Sequence, residues 1–298
     1  KRIKIAILDS GLDKEHNDIR SARERIRVFD RSEKDPHKPR FKKLNHAAIS
    51  DSVGHGTHVV GLILEYTSDA ELYVADVNVD KQPDREPHAY CDQAITCAVD
   101  AGADVISISV GFEERELPDP LEQAIKYAKD KEVHVFAAAS NQGANRRRTY
   151  PARYDGVFCI HSTNAFGDFC DFNPTKLGDC NFATMGVAVT SSWPKNLAQS
   201  PESYEGGSVT KAMTGTSVST PIAASLAAFL LRYARTHLDH EHIVQLKKHS
   251  VLRSVLKSMA QERDRVFYLS LQSAPGHMFG WHEADIQREM KKVIHDSD

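Results

Sequence analysis

The chain has 298 residues, 41% of them hydrophobic, enough for one large α/β domain or two small ones with a sizeable core. Lys and Arg number 38 and Asp and Glu 41, so the net charge is −3 and no basic excess argues for nucleic acid. No apolar run approaches the roughly 18 residues of a membrane-spanning helix, and the run Arg146–Arg148 reads as a solvated loop. The chain opens directly into an apolar stretch with Lys1 rather than Met, so a cut-out domain or a processed product is expected, with neighbouring domains of a larger parent as possible partners.

In chain order, Ile3–Leu8 is a short apolar strand that ends in Asp9-Ser10-Gly11. Residues 30–45 are charged, contain Pro and read as a loop. His55–Tyr66 predicts a helix that opens at a Gly-His-Gly-Thr turn, and Glu71–Val79 a strand. Ala94, Ile95, Ala98 and Ala101 share one helical face, which predicts a helix over Ala89–Ala101 that stops at Gly102. A buried strand over Asp104–Val110, a helix over Pro120–Asp130, and strands over Val133–Ala139 and Gly156–Ser162 follow. Ser217–Arg235 predicts a long Ala-rich helix, smooth enough on its Ala side to cross the middle of a packed domain. The last stretch is more charged and predicts two helices, near 242–261 and 283–295. Strand and helix alternate, which argues for a parallel sheet covered on both faces. Without repeats or a low-complexity linker the chain reads as a single domain over 1–298, with a core of about 3–235 and a C-terminal helical extension of about 236–298.

Five cysteines are an odd number. Cys91 and Cys97 fall on a predicted helix and Cys159 on a predicted strand, where Cys acts as a small hydrophobe. Cys170 and Cys180 share a loop and could pair, but nothing requires it, and free thiols are expected. The one Asn-x-Thr sequence, at Asn173, is blocked by Pro174. Both features lean towards a reducing, cytoplasmic compartment, a secreted mature enzyme being the alternative.

Four short segments carry chemistry. Asp9 follows a strand and sits where open α/β sheets place their sites, although a turn Asp capping a helix would look the same. His55 opens a helix between Gly54 and Gly56, which let backbone and substrate approach closely. His55 and His58 are spaced for a metal pair, but the Glu a zinc protease needs beside its first His is Gly56 here, so no metal and no cofactor is expected. Ser217 precedes the Ala-rich helix, where its hydroxyl feels the positive end of the dipole and its own N–H can meet an oxyanion, and a plain Ser N-cap is the alternative. Ser219 fills the final glycine position of Gly-x-Ser-x-Gly, so this is not an α/β-hydrolase elbow. Asn141 ends the Ala-rich strand Val135–Ala139, with a side-chain amide able to donate to a developing oxyanion.

These segments together resemble the subtilisin family, peptidase S8, in which Asp, His and Ser follow in this chain order. The resemblance covers about residues 3–235 and implies an α/β, subtilisin-like three-layer sandwich with a mostly parallel central sheet and helices on both faces. It implies a catalytic triad of Asp9, His55 and Ser217, with Asn141 in the oxyanion hole. It further implies that Ser109, Val110 and Gly111 line the cleft and pair with an extended peptide, and that Thr149 and Tyr150 stand at the far wall of the first specificity pocket. The tracts 172–186 and 256–268 are similar to subtilisin-like domains inside large fungal intracellular proteins. The family's calcium loop in the helix after the catalytic His has little room in 61–71, so that site is expected to be missing. Ser140 and Ser219 stand where Gly and Ala are common, and both are small enough to fit. The implied function is a serine endopeptidase acting on proteins or peptides, with neither nucleic acid nor membrane as a partner. A protease-like module with a regulatory or binding role is the alternative. For specificity, Glu113-Glu114 facing the cleft would favour basic residues upstream of the cut bond. Arg146–Arg148 at the first pocket would favour an acidic one, and solvated runs would leave pocket shape to decide.

Overall fold

The structure, a computed structural model, describes residues 1–30, 40–77, 90–113, 119–178, 181–198, 204–205, 208–270 and 278–297. The chain begins with β1 (Lys4–Asp9), α1 (Asn17–Ser21), β2 (Ile26–Phe29) and β3 (Phe41–Lys43), then α2 (His55–Tyr66) and β4 (Glu71–Asp76). Next come α3 (Cys91–Asp100), β5 (Val105–Ile108), α4 (Asp119–Asp130), β6 (His134–Ala138), β7 (Val157–Thr163) and β8 (Asn181–Met185). A small antiparallel sheet of β9 (Val189–Ser192), β10 (Tyr204–Glu205) and β11 (Ser208–Met213) precedes the long α5 (Thr216–His237). The chain closes with α6 (His240–Gln245), α7 (His249–Met259), β12 (Gln261–Arg263), β13 (Val266–Tyr268) and α8 (Glu283–Asp296).

Ten strands make one sheet in the order β12-β13-β8-β7-β6-β5-β1-β4-β2-β3. Every pairing from β13 across to β2 is parallel, and only the edge strands β12 and β3 run antiparallel to their neighbours. The central strands are buried on both faces, as parallel sheets require. In β1, Ile5 and Ile7 point into the cluster shared with α2 and α5, while Ala6 and Leu8 point into the one shared with α3 and α4. Alternate residues thus feed the two cores of a three-layer sandwich. After β4 the chain crosses back over β1 to form β5, so the winding reverses between β1 and β5, where such folds open a crevice at the C-terminal strand ends.

Helix α5 runs beneath β1 and β5–β8. Ala223, Ala224, Ala227 and Ala228 are buried, and their small side chains let the helix lie close to the sheet. Leu226, Leu230 and Leu231 complete the buried face, each contributing about 1.5–3 kcal/mol. Pro221 is the sixth residue of α5 and offers no N–H to the Ser217 carbonyl, which accepts from Ser109 Oγ at 3.0 Å instead.

The structure refines the sequence reading at several elements. Phe41–Lys43 is a strand where a loop is expected, held by β2 through Phe41 opposite Phe29. The helix expected over 242–261 is two helices, because Lys248 takes an extended conformation (φ −70°, ψ 134°) and starts a new one. Residues 261–268 form the hairpin β12–β13, whose second strand joins β8 and extends the main sheet. The strand expected over 71–79 is seen to Asp76, and its last two residues lie outside the described ones.

Candidate active site

Asp9, His55 and Ser217 come from three elements and meet at the mouth of the β1/β5 crevice. Asp9 ends β1 and is 1% exposed. His55 is the first residue of α2, and Ser217 lies in the first turn of α5. Nδ1 of His55 lies 2.8 and 3.0 Å from the Asp9 carboxylate oxygens, and Nε2 lies 2.9 Å from Ser217 Oγ. With Nδ1–H donating to Asp9, the tautomer leaves Nε2 free to accept the Ser217 proton. Burial is the largest single influence on the imidazole and lowers its pKa. The charge and hydrogen bond of Asp9, with the charge of Asp51 behind, outweigh it, so the pKa stands above the ordinary value.

The turn that presents His55 needs glycine. Gly54 has φ +89°, in the left-handed region, and a Cβ there would lie 2.5 Å from the Trp193 ring. Gly54 offers no side-chain cap to α2. Asp51 does that work from outside the helix: its oxygens accept from the N–H groups of Val53, Gly54 and Thr57 and from the Thr57 hydroxyl. Neither Asp51 nor Trp193 was evident as a site neighbour from sequence. An Asp four residues before the motif His was the one available signal.

Asn141 follows β6, with its amide oriented by the N–H of Thr216, which donates to Oδ1 at 2.8 Å. That bond sets Nδ2 to donate elsewhere. A Cβ placed on Gly215 would sit 2.9 Å from Asn141 Nδ2 and 3.3 Å from Ser217 Oγ, so amide and hydroxyl border one small space. Ser140, just before Asn141, has φ +138°, a conformation that glycine adopts more easily. Its side chain fits, but its backbone is strained. Ser219 is accommodated differently: its hydroxyl bonds Ser162 Oγ and the Thr184 carbonyl, in room left by Gly186.

Of the expected substrate-binding residues, one bonds the backbone of Ser217 and the others pack on neighbouring segments. Ser109 Oγ donates to the Ser217 carbonyl at 3.0 Å, a tie that sequence gives no sign of. Gly111 is exposed and packs against Thr149, whose Oγ1 would be 2.3 Å from any Cβ there. Phe112 and Tyr150 exchange backbone hydrogen bonds of 2.9 Å, which joins the segment after β5 to the one carrying Thr149. Val110 is partly buried against the α3–α4 core. Glu113 accepts from the Gln142 amide, and Glu114 lies outside the described residues. Arg146 and Arg147 are exposed, whereas Arg148 turns to Asn181 and the Leu177 carbonyl.

His58 does not turn towards His55. Its Nε2 lies 3.0 Å from the carbonyls of Val189 and Lys211, and burial pushes its pKa down to about 4. Cys91, Cys97, Cys159 and Cys170 are free, and Cys180 lies outside the described residues.

A parallel sheet with a serine, a histidine and a carboxylate in one hydrogen-bonded row at its switch point is the architecture of a serine peptidase. The model of the subtilase family, peptidase S8, matches residues 1–281. The chain is 28% identical over 266 residues to the subtilisin-like protease het-Q2 of Podospora anserina, covering 78% of this chain and 69% of that protein. It is 27% identical over 278 residues to the major intracellular serine protease of Bacillus subtilis (strain 168), covering 87% and 79%. Among solved structures, a mutant of the protease domain of PatA superposes with a TM-score of 0.67 at 22% identity, over 99% of this chain and 96% of that one. The prenylagaramide maturation protease PagA gives the same TM-score and identity over 88% and 84%. The protein is a hydrolase that acts on proteins or peptides, and it belongs to the subtilase family.

Proposed function

We propose that the chain is a serine endopeptidase in which Ser217 is the nucleophile, His55 the general base and acid, and Asp9 the group that orients His55. The observation that carries this is the unbroken row Asp9–His55–Ser217, with contacts of 2.8 and 2.9 Å. Ser217 Oγ attacks the scissile carbonyl carbon while its proton passes to His55 Nε2. The carbonyl oxygen takes the negative charge, and the Asn141 amide with the Ser217 N–H stabilises it. His55 then gives the proton to the leaving amine, which departs and leaves an acyl-enzyme. Water repeats the cycle through His55, freeing the carboxylate product and restoring Ser217.

Ser109–Gly111 on one side and Thr149–Tyr150 on the other hold an extended peptide across the crevice. The engagement of Glu113 by Gln142 and of Arg148 by Asn181 supports a preference set by pocket shape rather than by either charge run. The reading of 1–298 as a single domain is supported by the β12–β13 hairpin, which builds the C-terminal segment into the main sheet. A cytoplasmic location is supported by the intracellular serine proteases among the relatives and by the free cysteines.

The test is labelling with a fluorophosphonate probe alongside cleavage of a denatured protein substrate. Both are expected in the wild type, and both should vanish in Ser217→Ala. A folded wild type that neither labels nor cleaves would favour a binding module instead. Cleavage profiles on a peptide library that change in Glu113→Gln or Arg147→Ala would restore a charge-based specificity.

A further inference from the structure

We propose that Asp51 is a positioning residue for His55, a second buried carboxylate that locks the turn carrying the imidazole to the strand end carrying Asp9. The inference rests on the reading of His55 as the general base.

Asp51 is 4% exposed. Its Oδ1 accepts from Val53 N (3.1 Å), Gly54 N (2.8 Å) and Ser10 Oγ (2.9 Å). Its Oδ2 accepts from Thr57 N (2.8 Å) and Thr57 Oγ1 (2.7 Å). Ser10 closes the circuit. Its hydroxyl accepts from Gly56 N at 2.9 Å, and its own N–H donates to Asp9 Oδ1 at 2.7 Å. The residues on both sides of His55 are therefore pinned, through Asp51 and Ser10, to the residue beside Asp9. An imidazole must bridge two partners within a few tenths of an ångström, and this network fixes both ends of that bridge relative to each other.

A helix cap alone does not need a charge, since Ser or Asn serves as well. Among the described residues no Lys or Arg forms an ion pair with Asp51. This hydrogen-bonded carboxylate is one of the charges that favour the protonated imidazole. It therefore stabilises the imidazolium that forms as Ser217 attacks, in the same sense as Asp9. The other groups around the turn are Asp9 and its register neighbour Asp76 from the sheet, Asp13, whose backbone N–H donates to Thr57 Oγ1, and His58 one turn along α2. Trp193, with Lys211 over its ring, covers Gly54 from the small sheet.

The experiment compares wild type, Asp51→Asn and Ser10→Ala, each checked for folding by urea unfolding. The His55 titration is followed by nitrogen-15 NMR, and kcat and KM are measured against pH on a chromogenic peptide anilide. In Asp51→Asn the His55 midpoint is expected to fall by about half a pH unit or more, as loss of a nearby charge requires. The acid limb of kcat moves to lower pH with it. The plateau kcat falls about tenfold or more while KM stays within about twofold, the pattern of lost positioning rather than lost binding. Ser10→Ala, which cuts only the link to β1, lowers kcat several-fold at unchanged KM. A folded Asp51→Asn with wild-type kcat and His55 midpoint overturns the proposal. Should Asp51→Asn fail to fold, an unchanged kcat in Ser10→Ala overturns it. A wild type without Ser217-dependent turnover would instead defeat the peptidase reading, and the NMR titration would still report whether Asp51 acts on His55.

Discussion

Moderate acid should destabilise this protein through its buried histidines. His134 on β6 is 3% exposed, and burial, helped by the nearby His249, pushes its pKa down to about 3. His161 on β7 is fully buried, and burial with the charge of Arg148 likewise brings it to about 3. Among the described residues, Nε2 of each has no hydrogen-bond partner. Both are neutral when folded and protonate near pH 6.5 when unfolded, so their contribution to stability is complete above that pH. It is lost as pH falls from 6.5 towards 3. At pH 5 the unfolded chain gains RT ln(1 + 10^1.5), about 2 kcal/mol per histidine and about 4 kcal/mol for the pair. His58 and His249, both lowered to about 4 chiefly by burial, act in the same direction. His55 is raised and acts in the opposite one: its contribution is complete below pH 6.5 and is lost as pH rises through its folded pKa, so acid restores a part. Against a total of about 5–15 kcal/mol, the net loss is large. The assay is urea unfolding of the Ser217→Ala protein, which cannot digest itself, at pH 7, 6 and 5. His161→Phe is expected to flatten the decline by about 2 kcal/mol. Stability at pH 5 within about 1 kcal/mol of that at pH 7 would refute the reasoning.

Asn141→Ala is expected to lower kcat by about 10²–10³ with little change in KM, a range that rests on the same kind of donor in a subtilisin; steady-state kinetics on a peptide anilide checks it. Ser140→Gly should raise unfolding free energy by about 1 kcal/mol, because relief of the +138° φ exceeds the added unfolded-state entropy; a loss of stability in urea would show that the backbone is unstrained. Ala224→Leu on the buried face of α5 should cost about 1–3 kcal/mol by overpacking against the sheet, read as a fall in urea midpoint. Activity and melting temperature are expected to survive chelator, since α2 runs unbroken from His55 to Tyr66, and a calcium-reversible fall in melting temperature would contradict this. Thiol titration of the denatured, unreduced protein should return five, and a count of three would mean a disulfide.

The main strands and helices are legible because their signals are local. Apolar runs such as Ile5–Leu8, the helical face of Ala94, Ile95 and Ala98, and the stops at Gly102 and Gly11 each act within a few residues. Short edge strands are not legible. Phe41–Lys43 and Gln261–Arg263 are largely polar, and only pairing with a neighbour makes them strands. Candidate residues Asp9, His55, Asn141 and Ser217 can be singled out because each sits at a strand end or helix start with glycine or small residues close by.

The amino-acid sequence by itself therefore determined the alternation of elements, the two buried faces of the sheet and the identity of the chemical groups. Their convergence was decided by the tertiary structure. His55 and Ser217 are 162 positions apart, and only the reversal of winding at β1 and β5, with α5 beneath, brings them to 2.9 Å. The support of His55 was decided there too. Ser10 and Asp51 are 41 positions apart, and nothing local marks either as a partner of the other. Periodicity and turn chemistry operate over one or two turns of chain, whereas a hydrogen-bond network is set by which surfaces the folded core presses together.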